Sequence, residues 1–364
     1  MKKFETQKRK RRVLIISPFA YSTVSAHGGG VYCAQQLKAI SDQYEIHFVT
    51  FTGEDSHDFV NEHCAKLYVH NAGQSRIKRA IGVVLSVVRF RPSLRPHTMA
   101  FARFLREALD EASPDVVLVQ FPSMAGCVRL LESYPSILDI QDVFTVSKRR
   151  RVETEKGPMG RLKSYLIWQA WRRYEKTWYA KYDFLMTLSD NDTAALQKMG
   201  LADKAATSPL AIDIPAIIKR NTNARVGPTI GFLGWFGYAP NVNAAKALLE
   251  DIFPEVVRQK PTARMLSGGK DLPVKLSALC RSEGIEYLGF VESLDDFFGS
   301  IDIFVAPLDF GAGVKIKVLQ AMAYGCPTIT TRIGAEGIAH GRCGLLIHDN
   351  NREIADAVVR LADN

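Results

Sequence analysis

Short apolar runs alternate with amphipathic stretches from residue 13 onward. Val13–Pro18 (VLIISP) is continuously apolar, the pattern of a strand buried on both faces of a parallel sheet. Glu45–Phe51, Lys66–His70, Val116–Gln120 and Ser136–Ile140 repeat the strand signal. Helices are expected between them over Val31–Ile40, Arg76–Arg89, Thr98–Glu111 and Met124–Tyr134. Gly160–Tyr182 reads as one long helix rich in Trp, Tyr and Arg. Phe184–Leu188 is a further strand, and the helix after it has Asp190 or Asn191 near its cap and Gly200 past its end.

A polar, proline-bearing stretch over residues 209–227 then interrupts the alternation and reads as a linker. Strands are expected again at Thr229–Leu233, Ala263–Ser267 and Ile285–Leu288, with helices at Asn241–Gln259 and Pro273–Ser282 and a last one beginning near Arg352. Two successive βα alternations predict an α/β chain of two doubly wound, Rossmann-like domains facing a cleft, residues 13–208 and 228–364, behind a basic tail at residues 1–12.

Composition narrows the class. Hydrophobic content of 47% and charged content of 23% fit a soluble globular chain. No apolar run approaches the ~20 residues that span a bilayer. The six cysteines show no metal-like spacing, which reads as a reduced, cytoplasmic protein. The net charge of +9 is concentrated in the first half: in the tail, around Arg76–Arg106, and over Lys148–Lys181. Basic patches attract anionic lipid or phosphorylated substrates, and the alternative is a solvated surface.

The segment Ile301–Ile338 carries the most chemistry. It reads strand (Ile301–Pro307), Gly-rich loop (Asp309–Gly313), helix (Val314–Tyr324) with Gly325 as its stop, and a strand opening at Pro327–Thr330. Lys315 and Lys317 fall in the expected first helical turn, where cations oppose the positive end of the helix dipole. Free backbone N–H groups and two lysines at one helix N-terminus make a candidate anion site, with a diphosphate as the natural ligand. The alternative is a tight turn beside two solvated lysines. Glu336 follows a strand and is a candidate for donor contact or for a loop charge. Asp190-Asn191-Asp192 is formally Asp-x-Asp, but its place at a helix start favours capping over metal binding.

In this order the residues resemble GT-B glycosyltransferases of family 4 and their close relatives. PLDFGAGVKIKVLQAMAYGCPTITT is similar to the family's donor-site segment. The Gly28–Gly30 loop, SDNDTAAL, PLAIDI, IGFLGWFGYAPNVNAAKAL and GFVESLDDFFGSIDIFVAP are similar to further pieces, so the resemblance covers nearly the whole chain. It implies the GT-B fold and a hexosyltransferase-type, metal-independent reaction that retains anomeric configuration. The donor would be a UDP- or GDP-linked sugar, with no cofactor. Donor contacts are implied at Gly311, Ala312, Gly313, Val314, Lys315, Lys317, Gln320, Gly234 and Glu336, and an acceptor-side loop at Gly28, Gly29 and Gly30. The family's Glu-x7-Glu pair falls on Ala312 and Gln320, and its usual Arg after the first donor-domain strand is replaced by Gly234-Trp235-Phe236-Gly237. Lys315, Lys317 and the Gly311–Gly313 amides are therefore expected to carry the diphosphate, and the Gln320 amide oxygen to accept ribose hydroxyls without a carboxylate's charge.

Catalytic candidates are Asp142, in the region of the family's His-Asp pair, and His27 beside the glycine loop; Asp139 and Gln141 are further polar groups at the end of the same strand. The acceptor is expected to be a glycan or lipid-linked, in surface polysaccharide or glycolipid synthesis on the inner face of the plasma membrane. The aromatic helix is either core packing or a membrane interface, and Arg76–Arg106, with apolar Ile81–Val88, is the stronger candidate for anionic lipid. No nucleic-acid partner is expected. The competing functions are a non-catalytic nucleotide-sugar-binding subunit and a nucleotide-sugar 2-epimerase.

Overall fold

The computed structural model describes residues 9–21, 28–51, 57–71, 98–155, 157–212, 214–215, 227–311, 313–338 and 344–363. The expected helix Arg76–Arg89, its flanking basic cluster as far as residue 97, and His27 and Ala312 lie outside the described residues. The chain divides into two compact units, the first ending at Pro209 and the second running Leu210–Asn364.

The first unit is built on a seven-stranded sheet of order β3-β2-β1-β4-β5-β6-β7. Its strands are β1 (Arg12–Ile16), β2 (Glu45–Phe51), β3 (Lys66–His70), β4 (Val116–Gln120), β5 (Ser136–Ile140), β6 (Phe184–Thr187) and β7 (Ala205–Thr207). Every pairing is parallel, and the central strands are buried on both faces, as their apolar runs require. Helices α1 (Gly28–Ser41), α2 (Asp58–His63), α3 (Met99–Ala112), α4 (Phe144–Thr154), α5 (Pro158–Trp178) and α6 (Asp190–Lys198) connect them.

Several expectations are corrected here. Gly28, Gly29 and Gly30 are not a loop but the first turn of α1. The expected helix Met124–Tyr134 is a 3-10 helix over Pro122–Leu130. The cap of α6 is Ser189, whose hydroxyl accepts from the Asp192 amide and donates to its carboxylate at 2.6 Å, not Asp190 or Asn191. The long helix stops at Trp178 and tightens into a 3-10 turn over Tyr179–Lys181. Its aromatic residues divide. Trp171, Tyr174, Tyr179 and Tyr182 are core, and the Tyr174 and Tyr182 hydroxyls donate to the carbonyls of Ser123 and Ala125. Met159, Leu162, Tyr165 and Leu166, at the other end, are exposed.

Helix α4 was not foreshadowed. It buries none of its side chains completely, and its sequence (FTVSKRRRVET) has no apolar stripe. It is held from outside: Glu175 of α5, wholly buried, accepts from the amides of Phe144 at 2.8 Å and Thr145 at 3.1 Å and from the Thr145 hydroxyl. The carboxylate thus satisfies first-turn donors that Val143, at the N-cap, cannot.

The second unit has a six-stranded parallel sheet of order β10-β9-β8-β11-β12-β13. Its strands are β8 (Thr229–Leu233), β9 (Arg264–Gly268), β10 (Ile285–Gly289), β11 (Ile303–Ala306), β12 (Thr328–Thr330) and β13 (Leu345–Ile347). The expected helix Asn241–Gln259 is α7 (Ala239–Ala247), a π turn (Leu248–Ile252) and α8 (Phe253–Gln259). Helices α9 (Val274–Leu279), α10 (Leu294–Gly299), α11 (Ile316–Ala323) and α12 (Asn351–Ala362) follow. Beside α10 the sheet face at β9 and β10 is open over a cavity of about 620 Å³ lined by Arg264, Leu266, Glu286, Leu288 and Phe290 among others.

Candidate functional site

In both sheets the strand order reverses direction at one point, between β1 and β4 and between β8 and β11. Open α/β sheets bind ligands beyond the strand C-termini at such a switch point. In the second unit that places the segment after β8 and the segment after β11 at the site.

Glycines let these strand ends close on one another. The Gly234 amide donates to the Gly268 carbonyl at 3.0 Å, the Gly269 amide to Gly289 at 2.6 Å, and the Tyr287 hydroxyl to the Gly269 carbonyl at 2.5 Å. Gly269 has φ +143, and any side chain there would collide with the Gly234 carbonyl. Gly234 faces inward: a Cβ on it would lie 2.9 Å from the Asn241 amide carbon and 3.0 Å from Lys317 Nζ.

That space is filled by a chain of polar contacts. Asn241, buried in the first turn of α7, donates from Nδ2 to the Trp235 carbonyl at 2.7 Å. Its Oδ1 accepts from Lys317 Nζ at 2.6 Å. The Lys317 ammonium also lies 4.8 Å from the centroid of the Phe232 ring. Burial first, and the charge of Lys315 second, lower its pKa to about 7. Lys315 donates to the Gly313 carbonyl at 2.5 Å, and a Cβ on Gly311 would sit 3.7 Å from its Cε and 3.4 Å from the Tyr238 hydroxyl.

The expected arrangement of the two lysines is corrected. Helix α11 starts at Ile316, so Lys315 is the residue before it and only Lys317 lies in its first turn. Gly313, at φ +71, and extended Lys315, at φ −89 and ψ 90, hold the chain out of helix for two residues longer than the apolar pattern indicates. The structure thus brings together Gly234, Gly311, Gly313, Val314, Lys315 and Lys317 on neighbouring loops. Gln320 is half-buried one turn along α11, and Glu336 is half-buried in the turn after β12. That turn is fastened by Thr331, whose hydroxyl donates to the Leu308 carbonyl at 2.5 Å and accepts from the Gly334 amide at 3.0 Å. Asn241, Trp235 and Tyr238 were missed as site residues. The PNVNAAKAL stretch pointed to a helix, but only three dimensions show that the helix start turns its asparagine onto a lysine 76 positions away.

The first unit holds a second polar cluster at its own switch point. Asp139, the last residue but one of β5 and a polar candidate in the sequence, is wholly enclosed. Burial pushes its carboxyl up to about 7, against the neighbouring polar groups of Tyr32, Gln120 and Gln36 that pull it down, and among the described residues neither carboxyl oxygen has a partner in hydrogen-bond geometry. Gln36 in turn donates to the Tyr32 hydroxyl at 3.0 Å and accepts from Gln120 at 2.5 Å. Gln141 donates to the Cys33 sulfur at 2.9 Å, and a Cβ on Gly29 would lie 2.6 Å from its Oε1. Asp142 is half-buried beyond β5 and acts electrostatically on Lys148 and Glu175. Asp190 and Asp192 are engaged by Thr207 and Ser189, and among the described residues no group of three His, Cys, Asp or Glu side chains could hold a metal ion. No helix of the described residues is long and apolar enough to cross a membrane.

Residues 227–364 match the family described as Glycosyl transferases group 1. No curated protein matches the chain. Among solved structures, the chain is similar to sucrose-phosphate synthase from Thermosynechococcus elongatus, at 14% identity and TM-score 0.70 over 98% of this chain and 90% of that one. Anabaena Alr3699/HepE in complex with UDP and glucose superposes with TM-score 0.64 at 12% identity, over 96% of this chain and 89% of that one. The lipopolysaccharide outer core galactosyltransferase WaaB gives TM-score 0.59 at 12% identity, over 97% and 90%. The chain therefore shares the GT-B fold of these structures, and its residues 227–364 match the family of group 1 glycosyl transferases.

Proposed function

We propose that the protein transfers a sugar from a nucleoside-diphosphate sugar, UDP- or GDP-linked, to a glycan or lipid-linked acceptor in surface polysaccharide or glycolipid synthesis. The observation that carries this reading is the convergence of Gly311, Gly313, Lys315 and Lys317 at the start of α11, against Gly234 at the end of β8. Transfer requires a leaving diphosphate to gain negative charge while positive charge develops on the sugar. Fixed cations and oriented amides at the phosphates lower that barrier without reorganising. In this reading the lysines and the 311–313 amides bind the diphosphate, Gln320 accepts from the ribose, and Glu336 borders the sugar. No cofactor or metal takes part, and the sugar keeps its anomeric configuration. Asp142 and His27 are proposed as catalytic groups, and Gly28–Gly30 as the acceptor-side segment.

A thermal-shift screen against UDP-, GDP-, ADP- and CMP-sugars, followed by donor hydrolysis, tests the reading. Replacing Lys315 and Lys317 together by Ala should lower affinity by at least roughly 100-fold, at about 1.5–3 kcal/mol for each charge-assisted contact. Unchanged affinity would show that the diphosphate lies elsewhere. Gln320, standing where the family carries a carboxylate, favours one alternative, a binding subunit without turnover; binding with no hydrolysis or transfer across donors and acceptors would establish it.

The second part of the proposal is a peripheral site on the cytoplasmic face of an anionic membrane. Met159, Leu162, Tyr165 and Leu166 are exposed along the first turns of α5, beside exposed Arg161 and Lys163. Apolar side chains flanked by cations suit the headgroup boundary. Flotation with anionic but not zwitterionic liposomes is expected, and loss of flotation in Leu162→Glu/Leu166→Glu; indifference to lipid charge would refute it.

A further inference from the structure

Lys317 is a half-buried cation, and among the described residues the groups recorded against its ammonium are neutral. From α7 comes the Asn241 side-chain oxygen, from β8 the Phe232 ring, and from the turn after β8 the open flank of Gly234. The charged group acting on it is Lys315, of the same sign. Among the described residues no carboxylate pairs with it. A charge held partly out of water without a counter-charge carries a desolvation cost that an anionic ligand can offset.

Asn241 cannot exchange its two ends. Its Nδ2 donates to the Trp235 carbonyl, so Oδ1 must face Lys317; flipping the amide would set oxygen against oxygen and donor against donor. The asparagine therefore fixes where the ammonium points, and contributes a dipole but no charge.

Resting on the donor-site reading above, we propose that Asn241 is a positioning residue that aims the Lys317 ammonium at the donor diphosphate while withholding a counter-ion, so that the diphosphate itself is the ion Lys317 pairs with. An aspartate in the same place would hold the lysine equally well, but would satisfy its charge in advance and repel the phosphates. A neutral holder keeps the site unfulfilled until donor arrives.

This arrangement links donor binding to a proton. With its pKa lowered to about 7, Lys317 is largely neutral at pH 8 in the empty protein. A bound diphosphate favours the charged form, so binding takes up a proton, and affinity falls by up to tenfold per pH unit above 7. Lys315 is the titratable neighbour, and its charge helps to set the window by lowering the pKa of Lys317.

Calorimetry of the full chain with UDP-glucose, GDP-mannose and ADP-glucose provides the test, since these diphosphate diesters do not ionise near neutrality. At pH 8, in buffers of different ionisation enthalpy, the wild type should take up close to one proton for each sugar nucleotide bound. Asn241→Asp should bind at least tenfold more weakly at pH 7, take up almost no proton, and lose the pH slope. A purely structural asparagine would move none of the proton readouts. Wild-type binding without proton uptake, or Asn241→Asp retaining wild-type affinity and slope, overturns the proposal. If Asn241→Asp does not fold, wild-type uptake and its loss in Lys317→Met decide alone. Lys317→Met with undiminished affinity, or no binding of any of the three, refutes the donor-site reading beneath it. Loss in Lys317→Met but not in Asn241→Asp refutes only the role of Asn241.

Discussion

Replacing Glu175 by alanine should destabilise the first unit by about 3–5 kcal/mol, the range for breaking a buried charged network. The carboxylate is wholly buried and accepts from the Phe144 and Thr145 amides, the Thr145 hydroxyl and, at 3.2 Å, the Tyr179 hydroxyl. Alanine leaves those four donors without their acceptor, two of them at the start of a helix with no cap side chain of its own. Burial pushes the Glu175 carboxyl up to about 7, only partly offset by the Thr145 bonds. The sign follows from proton counts. Between the ordinary value of 4.5 and about 7 the native carboxyl keeps a proton that the unfolded one releases, so wild-type stability falls as pH rises through that window. The loss is at most about 3 kcal/mol. Alanine has no such term, so its deficit should be largest near pH 5 and smallest above pH 7. Urea unfolding followed by fluorescence reads mainly the right unit, since Trp168, Trp171 and Trp178, three of the four tryptophans, lie in it. A deficit below about 1 kcal/mol at pH 5, or one that grows with pH, would refute the reasoning. The outcome bears on function, because α4 begins immediately after Gln141 and Asp142, and a frayed α4 would release that segment.

Three further outcomes are expected. Gly269→Ala should cost the second unit more than about 2 kcal/mol by chemical denaturation, since it combines strained φ with a collision against the Gly234 carbonyl. Gly234→Ala should weaken sugar-nucleotide affinity by roughly tenfold in calorimetry while costing about 1–2 kcal/mol of stability, because its Cβ meets the side chains of Asn241 and Lys317 rather than backbone. Asp139→Asn should remove a buried carboxyl whose raised pKa makes the wild type lose stability from about pH 4 to 7; melting temperatures at pH 5 and pH 8 should converge in the variant and diverge in the wild type.

The parallel α/β architecture was legible because fully buried strands such as VLIISP and IDIFVAP leave continuous apolar runs, and most strands fall where those runs lie. Elements whose stability comes from elsewhere were not. Helix α4 depends on a carboxylate 31 residues from its first amide, and β7 and β13, of three residues each, are too short to carry a period. The site divides in the same way. Lys315, Lys317 and the glycines could be read because they are local to one loop and helix start. The Asn241–Lys317 contact, the enclosure of Asp139 and the delayed start of α11 could not, since each depends on what another segment brings within reach.

Strand β10 bears on the timing of the proposed donor site. It is the outermost strand of its sheet, its pairing with β9 is broken between Tyr287 and Gly289, and the cavity beside α10 leaves one of its faces uncovered. Amides there should exchange with solvent well before those of β8 and β11, whose residues are buried on both sides. Yet this loosely held strand is the one that fastens Gly269, through the Gly289 carbonyl and the Tyr287 hydroxyl. Each local opening of the sheet edge therefore also frees the glycine packed beside the Gly234 carbonyl, so that, with the donor bound as proposed, the rhythm of its entry and release would be governed from a strand that need not touch it.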